Sequence, residues 1–281
     1  MQKILVPTDF SELSLNAIRV GMQIARKADA SLTVVHIINL PESLNQEDRA
    51  SQEEKLREVI QERFNEIEDI SEKDVNVEEI VQFGPIYDTI TSLVKEREID
   101  LIVMGSNGKR GNRFFAGSNT QKVVRLSNTP VLTIKTKQDQ FDLKKVVFAS
   151  NFFGEANKSF GPILNMAKLY QADIELVKVV TPSNFENTGY SEKLMKDFAE
   201  EQGLENYTMN IYNHKELGKG ILEFTEKANA DLIAINTHGR KGISHLLSGS
   251  IAENIVNTSQ ACILSVRLAE EPKSDNVLFP E

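Results

Sequence analysis

The chain has 281 residues, of which 40% are hydrophobic and 26% are charged, and its formal net charge at pH 7 is −9. These values are ordinary for a soluble globular protein of two domains, each of about 140 residues and large enough to bury its own core. The acidic balance argues against nucleic-acid binding through an extended basic face, and no apolar run approaches the roughly 18–20 residues that span a bilayer.

Short apolar runs alternate with helical periodicities along the chain. In the first half, apolar runs predict strands at residues 3–6, 32–38, 75–81, 101–104 and 131–134. Apolar residues at helical spacing predict helices between these strands, at residues 15–25, 56–67, 88–96 and 120–126. In the second half, strands are predicted at residues 146–148, 174–180, 207–211, 232–235 and 262–266. The predicted fold class is therefore α/β, with parallel βαβ units and helices on both faces of a doubly wound sheet.

One predicted helix is strongly acidic. Residues 41–80 contain 14 acidic and 5 basic side chains, which accounts for the whole net charge of the chain. The apolar residues of this segment recur at helical spacing, at Leu56, Val59, Ile60, Phe64 and Ile67. This pattern predicts a solvated helix with one apolar stripe, and an acidic docking face is the alternative interpretation.

The two halves of the chain repeat one another. Residues 232–267 follow the pattern of residues 101–135, with a basic loop that contains Gly and Asn and a Gly-Ser step before an amphipathic stretch. Residues from Lys144 likewise echo those from Gln2. The repeat predicts a tandem duplication, with domains at 1–138 and 143–268, a joint at 138–142 and a tail at 269–281. Because the last strand of each half has a bare edge, we expect the two to pair with each other.

Residues suited to nucleotide binding follow two of the predicted strands. Asp9 follows the first strand, and Gly105 and Gly108 follow the fourth. If these strands are neighbours, Asp9 faces the glycine loop across a crevice and can accept hydrogen bonds from ribose hydroxyls. Glycines let the backbone approach phosphates, and the next helix offers free N–H groups at Gly117 and Ser118. Glycines that only form turns are the alternative. The loops also carry basic residues, at Lys109, Arg110, Arg113, Arg240 and Lys241.

The Pro-Thr-Asp after the first strand, the G-x2-G after the fourth and the Gly-Ser before the next helix resemble the universal stress protein family in a tandem form. The resemblance implies five parallel strands per domain in the order 3-2-1-4-5, with pairing through the fifth strands. It also implies that ATP or another adenine nucleotide binds, with or without Mg²⁺, at a G-x2-G-x9-G-(S/T) loop. In the first half, the implied binding residues are Pro7, Thr8, Asp9, Ile37, Gly105, Gly108, Gly117, Ser118 and Asn119. In the second half, they are Asn151, Val179, Gly239, Gly249, Ser250 and Ile251.

Each half departs from that motif at a different place. In the first half, eight residues (109–116) separate the second and third motif glycines, one fewer than in the family. In the second half the spacing is the full nine, but Asn236 stands for the first glycine and Asn151 for the strand-one Asp. We predict binding in the first half, because Asp9 and its loop glycines are intact.

Other chemistry is weakly indicated. No Cys/His cluster has metal-ligand spacing, and no nucleophile–base pair can be argued from the sequence, so neither catalytic nor metal-binding residues are predicted. His36 and His214 are interpreted as packing or surface residues, and a phosphate contact is the alternative for His238. Cys262, the single cysteine, lies in an apolar run, which is typical of a structural thiol in a reducing cytoplasm.

The sequence thus predicts a cytoplasmic stress-response regulator that binds an adenine nucleotide and has no dedicated catalytic activity. The start of the chain shows no signal-peptide pattern, in keeping with that location. A nucleotide-free scaffold that acts through sheet edges and the acidic helix is the first alternative, and a slow ATPase is the second. The sequence does not identify the protein partner. It leaves a homodimer open, and it points to neither nucleic acid nor membrane.

Overall fold

The structure is a computed structural model that describes residues 1–41, 43–68, 74–106, 118–135, 139–153, 159–237 and 255–267. Within these ranges, the side chains of four helical residues are not described, namely Glu66, Glu68, Ser118 and Asn119.

The first half alternates strands with helices, as predicted. Its strands are β1 (Lys3–Thr8), β2 (Ser31–Ile38), β3 (Val77–Phe83), β4 (Leu101–Gly105) and β5 (Val131–Ile134). Its helices are α1 (Glu12–Ala28), α2 (Gln46–Glu68), α3 (Ile86–Arg97) and α4 (Ser118–Leu126).

The second half repeats this alternation. Its strands are β6 (Lys145–Ala149), β7 (Asp173–Val180), β8 (Tyr207–Asn213), β9 (Leu232–Thr237) and β10 (Cys262–Arg267). Its helices are α5 (Gly161–Tyr170), α6 (Thr188–Glu201) and α7 (Leu217–Ala228), and residues 255–258 are also helical.

All ten strands form a single sheet in the order β3-β2-β1-β4-β5-β10-β9-β6-β7-β8. Within each half every pairing is parallel and the order is 3-2-1-4-5, which confirms the predicted topology. The two fifth strands, β5 and β10, pair antiparallel, with Leu132 opposite Leu264. The expected pairing of the halves is therefore confirmed, and each fifth strand covers the edge of the other.

Helices cover both faces of the sheet. One core lies beneath α1, α2, α5 and α6 and includes Ile18, Phe64 and Phe198. The other lies beneath α3, α4 and α7 and includes Ile90 and Ile221. Strands between the two cores are buried on both faces, as in β4, where all five residues are buried. This arrangement confirms the doubly wound α/β class.

Helix α1 shows how local sequence sets the element boundaries. The Ser11 side chain accepts a hydrogen bond from the N–H of Ser14, so it caps the first turn. Asp29 ends the helix in the left-handed conformation, with φ of 51°, and its N–H bonds back to the last turn. Between these caps, Ile18 and Met22 point into the core.

The acidic helix α2 is longer than its apolar stripe predicted. It begins at Gln46, where the Asn45 side chain accepts a hydrogen bond of 2.8 Å from the N–H of Asp48. Phe64 is fully buried, whereas Val59 is 56% exposed, so the predicted stripe is wrong at Val59. The first turns carry charge and a cap but little apolar periodicity, which explains why the sequence pattern missed them.

The internal repeat extends to single hydrogen bonds. Asp100 precedes β4, and its carboxylate accepts the N–H groups of Gln2 and Lys3 at 2.7 and 3.1 Å. Asp231 precedes β9, and its carboxylate accepts the N–H groups of Lys144 and Lys145 at 2.8 and 2.9 Å. In both halves, one carboxylate therefore joins the start of the first strand to the start of the fourth.

Cationic side chains cross the junction between the halves in both directions. Lys135, just after β5, donates to the Ser106 hydroxyl at 3.2 Å and to the backbone carbonyl of Val256. Arg267, at the end of β10, donates to the carbonyl of Leu126 at 3.0 Å. Each half thus satisfies a helical carbonyl of the other with a cation.

Burial lowers the pKa of Lys135 to about 8, although the nearby Cys262 opposes this shift. A lysine in the unfolded chain titrates near 10.4. Between pH about 8 and 10.4 the unfolded chain therefore binds more protons, and the free energy of unfolding should rise with pH. Urea unfolding at pH 7.5 and 9.5 should show this rise in the native chain and a smaller one in Lys135→Met.

The matched control for that experiment is Lys219→Met, because the Lys219 side chain is 59% exposed. This variant should keep the pH dependence of the native chain. An equal rise with pH in the native chain and in Lys135→Met would contradict the prediction.

Candidate functional site

A strained turn follows the first strand of the first half. Phe10 has φ of 59°, a left-handed conformation that is unfavourable for a bulky side chain. Two hydrogen bonds hold the turn, from Phe10 N–H to the Thr8 hydroxyl at 3.0 Å and from Ser11 N–H to Asp9 Oδ1 at 3.1 Å. The turn fixes Asp9 at the carboxyl end of β1, and its carboxylate keeps acceptor capacity for a ligand.

The second half forms the same turn. Phe152 has φ of 62°, and its N–H donates to the Ser150 hydroxyl at 3.1 Å. The N–H of Phe153 donates to Asn151 Oδ1 at 3.2 Å. Asn151 therefore occupies the position of Asp9, with an amide where the first half has a negative charge.

The Phe10 ring explains why the left-handed turn is maintained. It lies 4.9 Å from the His36 ring and 5.3 Å from the Phe64 ring, measured between centroids. The guanidinium of Arg63 lies over its face at 5.0 Å. Aromatic and cation–π contacts of this kind each contribute about 0.5–1.5 kcal/mol, enough together to offset the strain.

His36 packs within this site, in keeping with its interpretation as a packing residue. Its Nδ1 donates to the Thr8 carbonyl at 2.8 Å, which fixes the ring beside the end of β1. Burial lowers the pKa of His36, while the Thr8 bond and the charge of Asp9 oppose the shift. Burial therefore favours the neutral form of the ring. No sequence signal indicated the contact, since β2 reaches β1 only in the folded sheet.

His214 is also paired, in keeping with its interpretation as a packing or surface residue. Its Nδ1 lies 2.8 Å from the Glu216 N–H, and its Nε2 lies 3.3 Å from a carboxylate oxygen of Glu223. These contacts connect the end of β8 to α7, so the role of His214 is structural.

The ends of β1 and β2 form an open cleft of about 210 Å³. Residues 7–9 and 35–39 line it, and Ile86, the first residue of α3, closes one side. Pro7, Thr8, Asp9 and Ile37 were predicted to bind nucleotide and lie here together. The contribution of Ile86 was not predicted; the Gly-Pro pair that precedes it at the end of β3 was its one sequence signal.

The equivalent cleft in the second half is much smaller among the described residues. It holds about 20 Å³, which is room for about one water molecule, and it is lined by residues 149–151, Val177, Val179, Leu217 and Ile221. Asn151 and Val179 were predicted here, and the structure brings them together. Two side chains of α7, Leu217 and Ile221, line this cleft, whereas α3 contributes Ile86 to the first.

Gly105, at the end of β4, is required by packing. A Cβ atom at this position would lie 2.6 Å from the backbone oxygen of Leu13 and 2.8 Å from its carbonyl carbon. Only glycine allows the first turn of α1 to approach β4 so closely. The phosphate contact of Gly105 stays a prediction, and packing alone explains why this position is a glycine.

Asn236 takes the place of Gly105 in the second half. It is 4% exposed, and neither side-chain polar atom has a hydrogen-bond partner in the described part of the chain. Helix α5 begins at Gly161, which is equivalent to Arg19 in α1, and the counterparts of residues 12–16 lie outside the described ranges. The two crevices therefore differ at the end of the fourth strand, where one half has Gly105 and the other has Asn236.

Several predicted residues fall outside the described ranges. These are Gly108, Gly117, Gly239, Gly249, Ser250, Ile251, the loop cations Lys109, Arg110, Arg113, Arg240 and Lys241, and His238. Ser118 and Asn119 are the first residues of α4, although their side chains are not described. The N-terminus of α4 thus follows the predicted phosphate loop directly.

Neither a metal centre nor a membrane span is present among the described residues. No group of three or more His, Cys, Asp or Glu side chains could hold a metal ion within these ranges. No described helix has the length and apolarity to cross a membrane. Cys262 is a free thiol and is buried, as predicted.

Comparisons with known proteins agree with the repeat. A sequence profile of the universal stress protein family matches residues 1–135 and again residues 143–267. A universal stress protein of Methanocaldococcus jannaschii is 30% identical over 139 residues, which is 48% of this chain and 82% of the relative. Universal stress protein YxiE of Bacillus subtilis is 29% identical over 148 residues, 47% of this chain and 98% of the relative.

A solved structure has the same fold across both halves. The crystal structure of a universal stress protein from Archaeoglobus fulgidus aligns with 95% of this chain and 97% of its own, with a TM-score of 0.72 and 20% identity.

Proposed function

The chain belongs to the universal stress protein family, and we propose that it binds an adenine nucleotide in its first half as a regulatory ligand. The observation that carries the proposal is the difference between two equivalent clefts. The first has about 210 Å³ and the carboxylate of Asp9, whereas the second has about 20 Å³ and the amide of Asn151. Among the described residues, the first cleft therefore offers a ligand more room than the second.

The chemistry of the open cleft suits a nucleoside. Val35, Ile37 and Ile86 offer an apolar surface to a planar base, and the strand ends supply backbone groups that can pair with its edge. Asp9 follows the carboxyl end of β1, a strand that pairs with both β2 and β4, and at this edge of the sheet a carboxylate can accept hydrogen bonds from ribose hydroxyls.

The neighbouring helix end suits the phosphates. Helix α4 begins at Ser118, and the first N–H groups of a helix have no intrahelical acceptor. These groups and the positive end of the helix dipole favour an anion. ATP, ADP and AMP share this recognition chemistry, and Mg²⁺ would enter with the phosphates of a triphosphate.

Identification of co-purified ligand tests the proposal. Mass spectrometry of the supernatant from heat-denatured protein should detect an adenine nucleotide, with about one equivalent per chain. Calorimetric titration of ATP, ADP and AMP into nucleotide-free protein would then rank them. If nothing is released and none of the three binds, the nucleotide-free scaffold is favoured, and the exposed face of α2 becomes the first surface to test.

We further propose that hydrolysis is not the main function. Phosphoryl transfer at enzymatic rates requires placed metal ligands, a positioned water and cations that stabilise the transition state. Neither Asp9 nor His36 suits the role of base, because Asp9 is assigned to the ribose and burial lowers the pKa of His36, which makes its ring a weaker base. We expect turnover far below about 1 s⁻¹. Faster phosphate release that one carboxylate or histidine substitution abolishes would instead support the ATPase alternative.

A further inference from the structure

The joint between the two halves lies in a groove formed by helices of both. The N–H of Phe141 donates to Gln23 Oε1 at 2.6 Å, and Gln23 Nε2 donates to the Asp139 carbonyl at 3.0 Å. The Phe141 ring is 4% exposed and packs edge-on against Tyr170, with centroids 5.4 Å apart. A carboxamide on α1 thus fixes the peptide backbone, and a slot against α5 buries an aromatic ring.

The internal repeat relates this groove to a second one. Asp29 and Gln171 are equivalent left-handed C-caps of α1 and α5, 142 positions apart. By the same offset, Gln23 corresponds to Asn165 and Tyr170 to Ala28. Around the pseudo-two-fold axis between β5 and β10, a matching groove should therefore have Asn165 as its carboxamide and Ala28 at its end.

The structure contains that groove, with a volume of about 450 Å³. Its lining combines apolar residues, among them Ala28, Pro130, Met166, Leu169 and Leu264, with the polar residues Asp100, Asn128, Thr129 and Asn165. Asn165 is exposed here, whereas its equivalent Gln23 holds the joint with both ends of its amide. No described residue occupies this groove as Phe141 occupies the other.

We propose that this groove binds the apolar segment Val277, Leu278 and Phe279 of the same chain. These residues lie in the tail, outside the described ranges. The described chain leaves β10 at Arg267, which donates to the Leu126 carbonyl, and Leu264 three positions earlier lines the groove. Because β5 and β10 are antiparallel, their carboxyl ends point in opposite directions. The end of β10 therefore lies beside this groove, and the end of β5 lies beside the groove that holds the joint.

The length of the tail allows this contact. Six positions separate Lys135 from Phe141, and ten separate Arg267 from Val277. Ten extended residues cover about 33 Å. That length is sufficient, because Leu264, three positions before the end of β10, already lines the groove. A tethered segment also has a high effective concentration, which favours it over a second molecule. This inference is independent of nucleotide binding.

The chain contains no tryptophan, so Phe279→Trp places a single reporter in the proposed segment of the full-length protein. We expect blue-shifted emission and quenching by acrylamide several-fold weaker than in Phe185→Trp, whose native ring is 76% exposed. Adding Leu169→Asp, which charges the groove, should shift the emission to the red and restore quenching. Leu164→Asp adds the same charge on α5 but outside the groove lining, and it is the matched control. It should leave the emission wavelength and the quenching unchanged.

A milder variant keeps the test valid if Leu169→Asp fails to fold. Asn165→Ala alters an exposed residue and should raise quenching partway while the circular dichroism spectrum stays native. The proposal is overturned if the emission of the Phe279→Trp protein matches that of the exposed Phe185→Trp reference, or if neither groove variant changes it. Emission that reddens on dilution would also overturn it, because the groove would then take the tail of a second copy.

Discussion

Replacing Asp9 by alanine is expected to weaken adenine-nucleotide binding about 10- to 150-fold. Hydrogen bonds that involve a charged group contribute roughly 1.5–3 kcal/mol, and 1.4 kcal/mol corresponds to a tenfold change in affinity. Asp9 is the one carboxylate among the residues that line the open cleft in the described structure. Calorimetric titration of ATP into the native and variant proteins, at equal ionic strength, would measure the difference.

The second half supplies the control for folding. Asn151 makes the same hydrogen bond to the following turn as Asp9 does, at 3.2 Å against 3.1 Å. Asp9→Asn should therefore preserve the turn that holds Phe10 while it removes the negative charge. We expect its affinity to lie between those of the native protein and Asp9→Ala, with an unchanged melting temperature.

Asn151→Ala distinguishes the two halves. If nucleotide binds only in the first half, this variant should retain the native affinity and stoichiometry. If the second half were the site, Asn151→Ala would weaken the free energy of nucleotide binding by about 0.5–1.5 kcal/mol, as for a neutral hydrogen bond. Asp9→Ala would then leave the affinity unchanged. That second pattern would contradict the assignment and give greater weight to the full loop spacing between Gly239 and Gly249.

The strand order could be predicted from the sequence for two physical reasons. Strands buried on both faces read as continuous apolar runs, such as residues 101–104, and the alternation with helices requires parallel crossovers. The duplication then indicated how the halves join, since the unpaired backbone groups of two equivalent edge strands can hydrogen-bond with each other. Pairing of Leu132 with Leu264 confirms that expectation.

The size of the two clefts could not be predicted in this way. Pro7 and Ala149, Ile37 and Val179 are equivalent and chemically alike, so the sequence gives similar walls to both clefts. The difference involves Leu217 and Ile221 of α7, which line the second cleft, where α3 supplies Ile86 to the first. Such packing depends on how a helix sits on the sheet, which local periodicity does not encode.

Packing accounts for the first glycine of the loop motif in the first half. The first glycine of the motif is Gly105 in one half and Asn236 in the other. A Cβ atom at Gly105 would overlap the backbone of Leu13 in the first turn of α1, so a side chain is excluded at this position of the first half. In the second half, Asn236 is accommodated and is 4% exposed.

Gly105→Ala is accordingly expected to destabilise the first half strongly. The added Cβ atom would lie 2.6 Å from the Leu13 carbonyl oxygen, and this neighbour is backbone, so no side-chain rotation relieves the overlap. Overpacking of a well-packed core lowers the free energy of unfolding by about 1–3 kcal/mol, and we expect the upper end of this range or more for Gly105→Ala. Either β4 or the capped first turn of α1 must shift, so nucleotide affinity should fall together with stability.

Gly161→Ala provides the matched control, because an added Cβ atom at Gly161 has no neighbour within 4 Å. At the first position of α5 this substitution should be neutral or stabilise by up to about 1 kcal/mol. Chemical unfolding of the two variants beside the native chain separates a clash from the general effect of Gly→Ala. If Gly105→Ala were as stable as Gly161→Ala yet failed to bind nucleotide, the glycine would be required for phosphate approach, and the contact with Leu13 would not explain it.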